Sequence, residues 1–179
     1  MTRYTLSLYH ILKFKGKHMK EYTTILDNLE AKAGAYEEAF GSCAQGTLLA
    51  LQEQFGLGDG KTLKAATAMP GVALRGETCG AVIGALMALG LAMGRERVGQ
   101  DDEALRTYMA ADRLCTEFKK EFGGCNCRDV QQHLFGRTFN LQDMKELEEF
   151  SRSGAGQKCA IPAGKAARIA GRLILEHRE

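Results

Sequence analysis

Six cysteines carry the chemistry that this sequence makes legible: Cys43, Cys79, Cys115, Cys125, Cys127 and Cys159. Four of them stand where the residue pattern starts a helix, in Gly41-Ser42-Cys43-Ala44-Gln45, Glu77-Thr78-Cys79-Gly80-Ala81, Asn126-Cys127-Arg128-Asp129 and Gln157-Lys158-Cys159-Ala160. The first turn of a helix holds N–H groups without intrahelical partners and a partial positive charge, so each placement predicts a thiol drawn toward its thiolate. Thiolates exchange disulfides and bind metals. Both chemistries stay open for Cys43, Cys79, Cys127 and Cys159.

Spacing removes several familiar arrangements. No C-x-x-C occurs, so the thioredoxin-type motif, the haem-attachment C-x-x-C-H and the paired knuckles of structural zinc sites are all missing. A dispersed set remains, which only the tertiary fold can gather. Cys125 and Cys127 form C-x-C after Gly123-Gly124, a loop free enough to aim both sulfurs. A reducible disulfide, a two-point metal clamp that adds Cys125 to the ligands, or one functional cysteine with a passive neighbour all fit, and Cys127 is favoured for its place at a helix start. Cys115 falls on an apolar face between Ala111 and Phe118 and reads as a buried, inert thiol. His10, His18, His133 and His177 stand at no ligand spacing from a cysteine. Glu77 is a candidate proton acceptor beside Cys79, although a solvated capping carboxylate is the plainer reading, and Arg75 and Lys158 are candidate charges for lowering thiol pKa values.

Helices must hold these residues, because helical period runs nearly throughout. Tyr22, Leu26, Leu29, Ala33, Tyr36 and Phe40 make one apolar stripe opposite Glu21, Asp27, Glu30 and Glu37. Ala44, Leu48, Leu51 and Phe55 make a second helix that ends in Gly56-Leu57-Gly58-Asp59-Gly60. A third helix fits 62–69 and stops near Pro70. The loop Gly71-Val72-Ala73-Leu74-Arg75-Gly76 then feeds an uncharged stretch over 78–94. That stretch is shorter than the roughly 20 residues a membrane span needs and reads as a buried central helix. Its Gly80 with Gly84, and Gly90 with Gly94, allow close helix packing or a homodimer seam. Asp101 and Asp102 cap a long helix whose inner face is Leu105, Tyr108, Ala111, Cys115, Phe118 and Phe122. Helices over 127–135 and 140–150 follow, and a last one starts near Lys158, with Pro162 tolerated in its first turn. The expected fold is all-α: a compact single-domain bundle of about seven or eight helices around a buried small-residue helix. The domain spans 19–179, and 1–18 forms an N-terminal arm, either disordered or a non-native extension if Met19 is the native start.

Composition bounds the function. Two prolines, no tryptophan, 45% hydrophobic and 26% charged residues suit one soluble helical domain. A net charge of +2, without basic clusters interleaved with aromatics, argues against nucleic acid. The start of the chain has no cleavage site after its short apolar run, and the expected location is cytoplasmic.

The sequences around Cys43-Ala44-Gln45, Cys79-Gly80-Ala81-Val82-Ile83-Gly84-Ala85, Cys127-Arg128-Asp129-Val130 and Lys158-Cys159 resemble the C-GCAxxG-C-C family of redox-active proteins over about residues 20–175, in order and in flanking residues. That resemblance implies a small helical bacterial or archaeal protein with a redox role, encoded near oxidoreductases or transporters. It also implies kinship with a domain of split-Soret cytochromes that holds an iron–sulfur cluster. Two departures stand out. The turn before the CGA segment has fewer glycines than the family pattern, and Cys115 and Cys125 are additional.

Three functions therefore compete. In the first, Cys43, Cys79, Cys127 and Cys159 converge for thiol/disulfide redox chemistry. In the second, the same residues ligate an iron–sulfur cluster or another thiophilic metal, as an electron-transfer partner of an oxidoreductase. In the third, the chain is a non-catalytic helical interaction domain whose cysteines only pack.

Overall fold

The computed structural model describes the backbone of residues 3–178 and the side chains of residues 20–178. The expected arm over 1–18 concerns side chains outside that set, His10 and His18 included. Among the described residues the chain forms α1 (Arg3–Phe40), α2 (Cys43–Phe55), α3 (Gly60–Ala65), α4 (Gly71–Leu74), α5 (Gly80–Met93), α6 (Asp101–Phe122), α7 (Cys127–Phe135), α8 (Met144–Arg152) and α9 (Ala155–Arg178). No strand occurs among them; a single antiparallel bridge joins Thr78 and Asn126. No helix of the described residues is long and apolar enough to cross a membrane.

The central layer is α5, whose buried residues include Ala81, Val82, Ala85, Ala88 and Leu89. It packs against α2 on one side and against α9 and α6 on others, while α1 lies along α9 and α2. Leu29, Leu48, Leu51, Leu89, Leu114, Phe118 and Ile174 fill the core between them. Small residues set the spacing. A Cβ on Gly90 would meet open space, whereas one on Gly84 would fall on the Ala44 carbonyl oxygen and one on Gly80 would fall on Cys43 Sγ, so these two glycines of α5 are taken by α2 within the chain. Substitution there would overpack a backbone contact.

The expected stripe of α2 is buried as read: Ala44, Leu48, Leu51 and Phe55 all face the core. The stripe of α6 is rotated. Ala104, Leu114, Phe118 and Phe122 are buried, whereas Leu105 and Tyr108, expected inside, are 57% and 63% exposed. The N-terminal half of α6 is held by Thr107 Oγ1, which donates to the Met93 carbonyl of α5 at 3.1 Å, and the C-terminal half by Phe118 tilted against Phe122 at 4.6 Å, with His133 edge-on to Phe122 at 5.7 Å. Three boundaries also shift. Asp59, not the following loop, caps a shorter α3, accepting from the Lys61 and Thr62 N–H groups. Asp143 rather than Asn140 caps α8. The last helix begins at Ala155, so Pro162 lies inside it and leaves the Lys158 carbonyl without the usual N–H.

The segment before α5 departs most from expectation. Gly71, Val72, Ala73 and Leu74 have φ of 54°, 49°, 57° and 63°, one turn of left-handed backbone. Non-glycine residues in that region cost roughly 1–2 kcal/mol each. The surrounding hydrogen bonds hold the turn: Ala73 N–H donates to Ala68 O at 2.8 Å, Leu74 N–H to Pro70 O at 2.9 Å and Glu77 N–H to Gly71 O at 3.1 Å.

Candidate functional site

Each of the four cysteines arrives on a different element. Cys43 is the first residue of α2, Cys79 the N-cap of α5, and Cys127 the first residue of α7. Cys159 is an exception to the helix-start expectation. It lies a full turn inside α9, because Gly154 precedes the helix and Lys158 N–H already donates to the Gly154 carbonyl. The two loops that deliver Cys79 and Cys127 are tied edge to edge: Cys79 N–H donates to Cys125 O at 2.8 Å and Cys127 N–H to Glu77 O at 2.5 Å. Arg128 reinforces the tie, its Nη2 donating to Arg75 O at 2.8 Å. From the other side, α1 and α9 touch next to Cys159, where a Cβ on Gly34 would stand 3.3 Å from the Ala160 carbonyl oxygen.

These elements gather the sulfurs around Cys43. Its Sγ sits where a Cβ on Gly80 would fall, next to Cys79, and Cys79 and Glu37 both act on it. Cys127 feels Cys43 and Glu37, and Cys159 feels Cys43, Glu37 and Cys127. All six cysteines are free thiols.

For Cys43 and Cys127 the expectation that a helix start would hold the thiol as a thiolate is overturned. Cys43 is held well above the usual thiol range, first by its hydrogen bond with Cys79, then by burial and by the charges of Cys79 and Glu37; only the Ala81 N–H acts against this. Burial, followed by the charge of Cys43, pushes Cys127 up to about 11. Cys159 is raised by burial and then by Cys43, Glu37 and Cys127. Desolvation and mutual repulsion outweigh the helix dipole wherever several sulfurs share one dry space.

Two residues of the site escape a reading of the sequence. Glu37, expected on the solvated face of α1, is 6% exposed, and burial pushes its carboxyl up to about 7. Its Oε2 and the Ser42 Oγ next to Cys43 are the buried side-chain oxygens without a hydrogen-bond partner among the described residues. Gln131, 1% exposed, donates from Nε2 to Cys127 Sγ at 3.3 Å and accepts the Phe139 N–H on Oε1 at 2.7 Å. A carboxylate one turn before a helix break that leads into a cysteine is the only signal that pointed to Glu37.

The charged candidates near the cysteines are elsewhere. Glu77 is exposed and pairs with Arg75 at 3.0 Å, which occupies both. The Lys158 ammonium stands 4.5 Å above the Phe135 ring and is not among the groups acting on Cys159. The C-x-C loop divides its sulfurs: Cys127 faces Cys43 and Gln131, while Cys125 faces Cys115. Cys115, expected to be buried and inert, is half-buried beside that partner.

The donor set suits a thiophilic metal in kind, since it offers four thiols and a carboxylate. Its spacing suits a single ion less well: among the described residues no group of three Cys, His, Asp or Glu side chains is arranged to hold one metal ion.

A family model described as "Putative redox-active protein (C_GCAxxG_C_C)" matches residues 41–173, which include all six cysteines but not Glu37. No curated protein and no solved structure matches the chain.

Proposed function

Since the chain belongs to the C_GCAxxG_C_C family of redox-active proteins, we propose that Cys43 and Cys79 are a buried redox dithiol, flanked by Cys127 and Cys159, with Glu37 as its proton carrier. The observation that carries this reading is the seating of Cys43 Sγ on the start of α5, where a Cβ on Gly80 would fall on that sulfur, so that it lies beside the preceding residue, Cys79, as a disulfide requires. Cys43 keeps its proton while Cys79 gives up its own to water, attacks the incoming disulfide and expels one thiolate, which takes a proton from water and leaves as a thiol. Cys43 then gives its proton to Glu37, attacks Cys79 in the mixed disulfide and expels the second thiol, which takes the proton back from Glu37. Two thiols are oxidised to one disulfide and the incoming disulfide is reduced to two thiols. A carboxyl that titrates at about 7 can make that transfer in either direction near neutral pH.

Access runs past the left-handed turn. A Cβ on Gly80 would stand 3.0 Å from Pro70 Cα, and one on Gly71 3.5 Å from Cys127 Sγ, so the segment leading into α4 lies directly over the sulfurs. With Val72, Ala73 and Leu74 in costly backbone conformations, this is the wall that loses least by moving. The dithiol exchanges with a redox partner, and six free thiols fit a reducing compartment such as the cytoplasm.

A second reading rests on the excess of negative groups: Cys43 and Glu37 act to raise Cys127 and Cys159, and Arg128 is the one cation that opposes this, at Cys127. Cys43, Cys79, Cys127 and Cys159 would then hold a thiophilic metal or an iron–sulfur cluster, which supplies one-electron transfer when bound. The lack of any single-ion arrangement among the described residues places this reading second. Protein prepared without oxygen separates the two. The dithiol reading expects no stoichiometric iron, acid-labile sulfide or zinc, and a Cys43-to-Cys79 cross-link after oxidation; stoichiometric metal that blocks this cross-link establishes the second reading.

A further inference from the structure

Away from the four-cysteine site, a second pair of sulfurs lies at the end of α6. Cys115 is on its penultimate turns and Cys125 is in the loop that follows, ten residues later, and both are half-buried. The Cys125 S–H donates to the Cys115 carbonyl oxygen at 3.4 Å, which brings its sulfur beside Cys115. The loop between them turns at Gly123, with φ of 80°, and its far end is held by the Cys79 N–H on the Cys125 carbonyl at 2.8 Å. Neither residue belongs to the buried group, whose sulfurs do not act on them. Packing alone does not require two thiols to meet at the surface of a helix end.

We propose that Cys115 and Cys125 are a second, solvent-reachable redox dithiol that closes to an intramolecular disulfide by exchange with a disulfide-bearing substrate. The inference does not depend on the reading of the buried site. Cys115 is the attacking sulfur, because the Cys125 S–H is engaged by the Cys115 carbonyl oxygen at 3.4 Å and holds its proton there. The Cys115 thiolate attacks one sulfur of the incoming disulfide and releases the first thiol. Cys125 loses its proton to water, attacks the Cys115 sulfur of the mixed disulfide and releases the second. Two protons and two electrons leave the pair, and the substrate disulfide takes them up as two thiols. Closure bears on the buried site through one hydrogen bond, because the carbonyl of Cys125 holds the N–H of Cys79 at 2.8 Å. The outer pair thus reports the redox state of the solution to the residue that caps α5.

The test uses the full-length reduced protein, with excess oxidised glutathione as the disulfide, under anaerobic and mildly alkaline conditions, followed by acid quenching, alkylation and peptide mass mapping. The expected product is a peptide linked between Cys115 and Cys125, formed before any cross-link among the four buried cysteines. Cys125→Ser should trap glutathione on Cys115, and Cys115→Ser should slow the modification of Cys125 on the order of tenfold. Glutathione that persists on Cys115 in the wild-type protein, or two thiols that stay free while glutathione is consumed elsewhere, overturns the proposal. Mapping the wild-type chain needs no variant to fold. Failure of the buried pair to close leaves the expected outer cross-link unchanged, so the two readings fail separately.

Discussion

The two sulfur-bearing regions of this protein come within two residues of each other at Cys125 and Cys127, yet they present different surroundings. Cys127 faces Cys43, Cys159 and Glu37, brought to it by α2, α9 and α1. Cys125 faces one helix end, half in solvent, with Cys115 beside it and the Lys119 ammonium near enough to act on it. Both thiols are nevertheless pushed up to about 11. The shared value has different makings: for Cys127 a more complete burial is partly offset by the Gln131 hydrogen bond and Arg128, and for Cys125 a shallower burial is joined by its single sulfur neighbour. A place at a helix start therefore does not decide how a thiol ionises; what excludes water from it and what charge stands opposite do.

The comparison can be broken most forcefully at the wall of the inner region. Gly84→Val drives a side chain into the Ala44 carbonyl, and because backbone cannot give way, it should destabilise the fold by about 3 kcal/mol or more. Chemical denaturation measures this, and alkylation of Cys43 should rise with it while that of Cys115 changes little.

Glu37 offers the next largest effect. Its folded carboxyl titrates at about 7, above its ordinary value, so the folded state favours the protonated form. The stability that this protonation contributes is complete below the ordinary carboxyl pKa and is lost as pH rises through about 7. Glu37→Gln should remove that pH dependence, leaving the variant more stable than the wild type above neutrality by about 2–3 kcal/mol, as read from denaturation midpoints across pH. The same variant should slow disulfide exchange at the buried pair and leave the outer pair alone. Equal pH profiles for variant and wild type would remove Glu37 from the buried group.

Smaller effects sharpen the contrast. Gln131→Leu removes the hydrogen bond to Cys127 Sγ and strands the buried Phe139 N–H, which should cost about 1–2 kcal/mol and slow alkylation of Cys127 but not of Cys125. Lys158→Ala loses the stacking on Phe135, worth roughly 0.5 kcal/mol, and should leave the alkylation rate of Cys159 where it was.

Much of the frame is legible in the order of the residues alone. The apolar period of α2, the uncharged run of α5 and the glycine break before α7 mark those helices to within a residue or two, because in each case local pattern and tertiary burial agree. Where they disagree, the reading slips. Glu37 sits on the charged side of α1 by period, but α2 and α9 close over the end of that helix and bury it. Leu105 and Tyr108 continue the apolar face of α6 by period, but there the helix buries Ala104 and meets α5 through Thr107 instead, which leaves Leu105 and Tyr108 exposed. The last helix reads as starting near Lys158, whereas Gly154 closes the preceding turn and Gly156 is already helical, which moves Cys159 from a helix start to a helix interior. The grouping of the four cysteines was open to recognition through their flanking residues. Their ionisation was not, since it depends on the shared burial of groups far apart in the chain.

The most direct test of the buried dithiol is to oxidise the reduced protein with a small disulfide and map every linkage by mass spectrometry. The expected product is a reversible bond between Cys43 and Cys79 that reductant reopens, formed after the bond between Cys115 and Cys125. Free thiols at Cys43 and Cys79 after prolonged oxidation, in metal-free protein that remains folded, would contradict it.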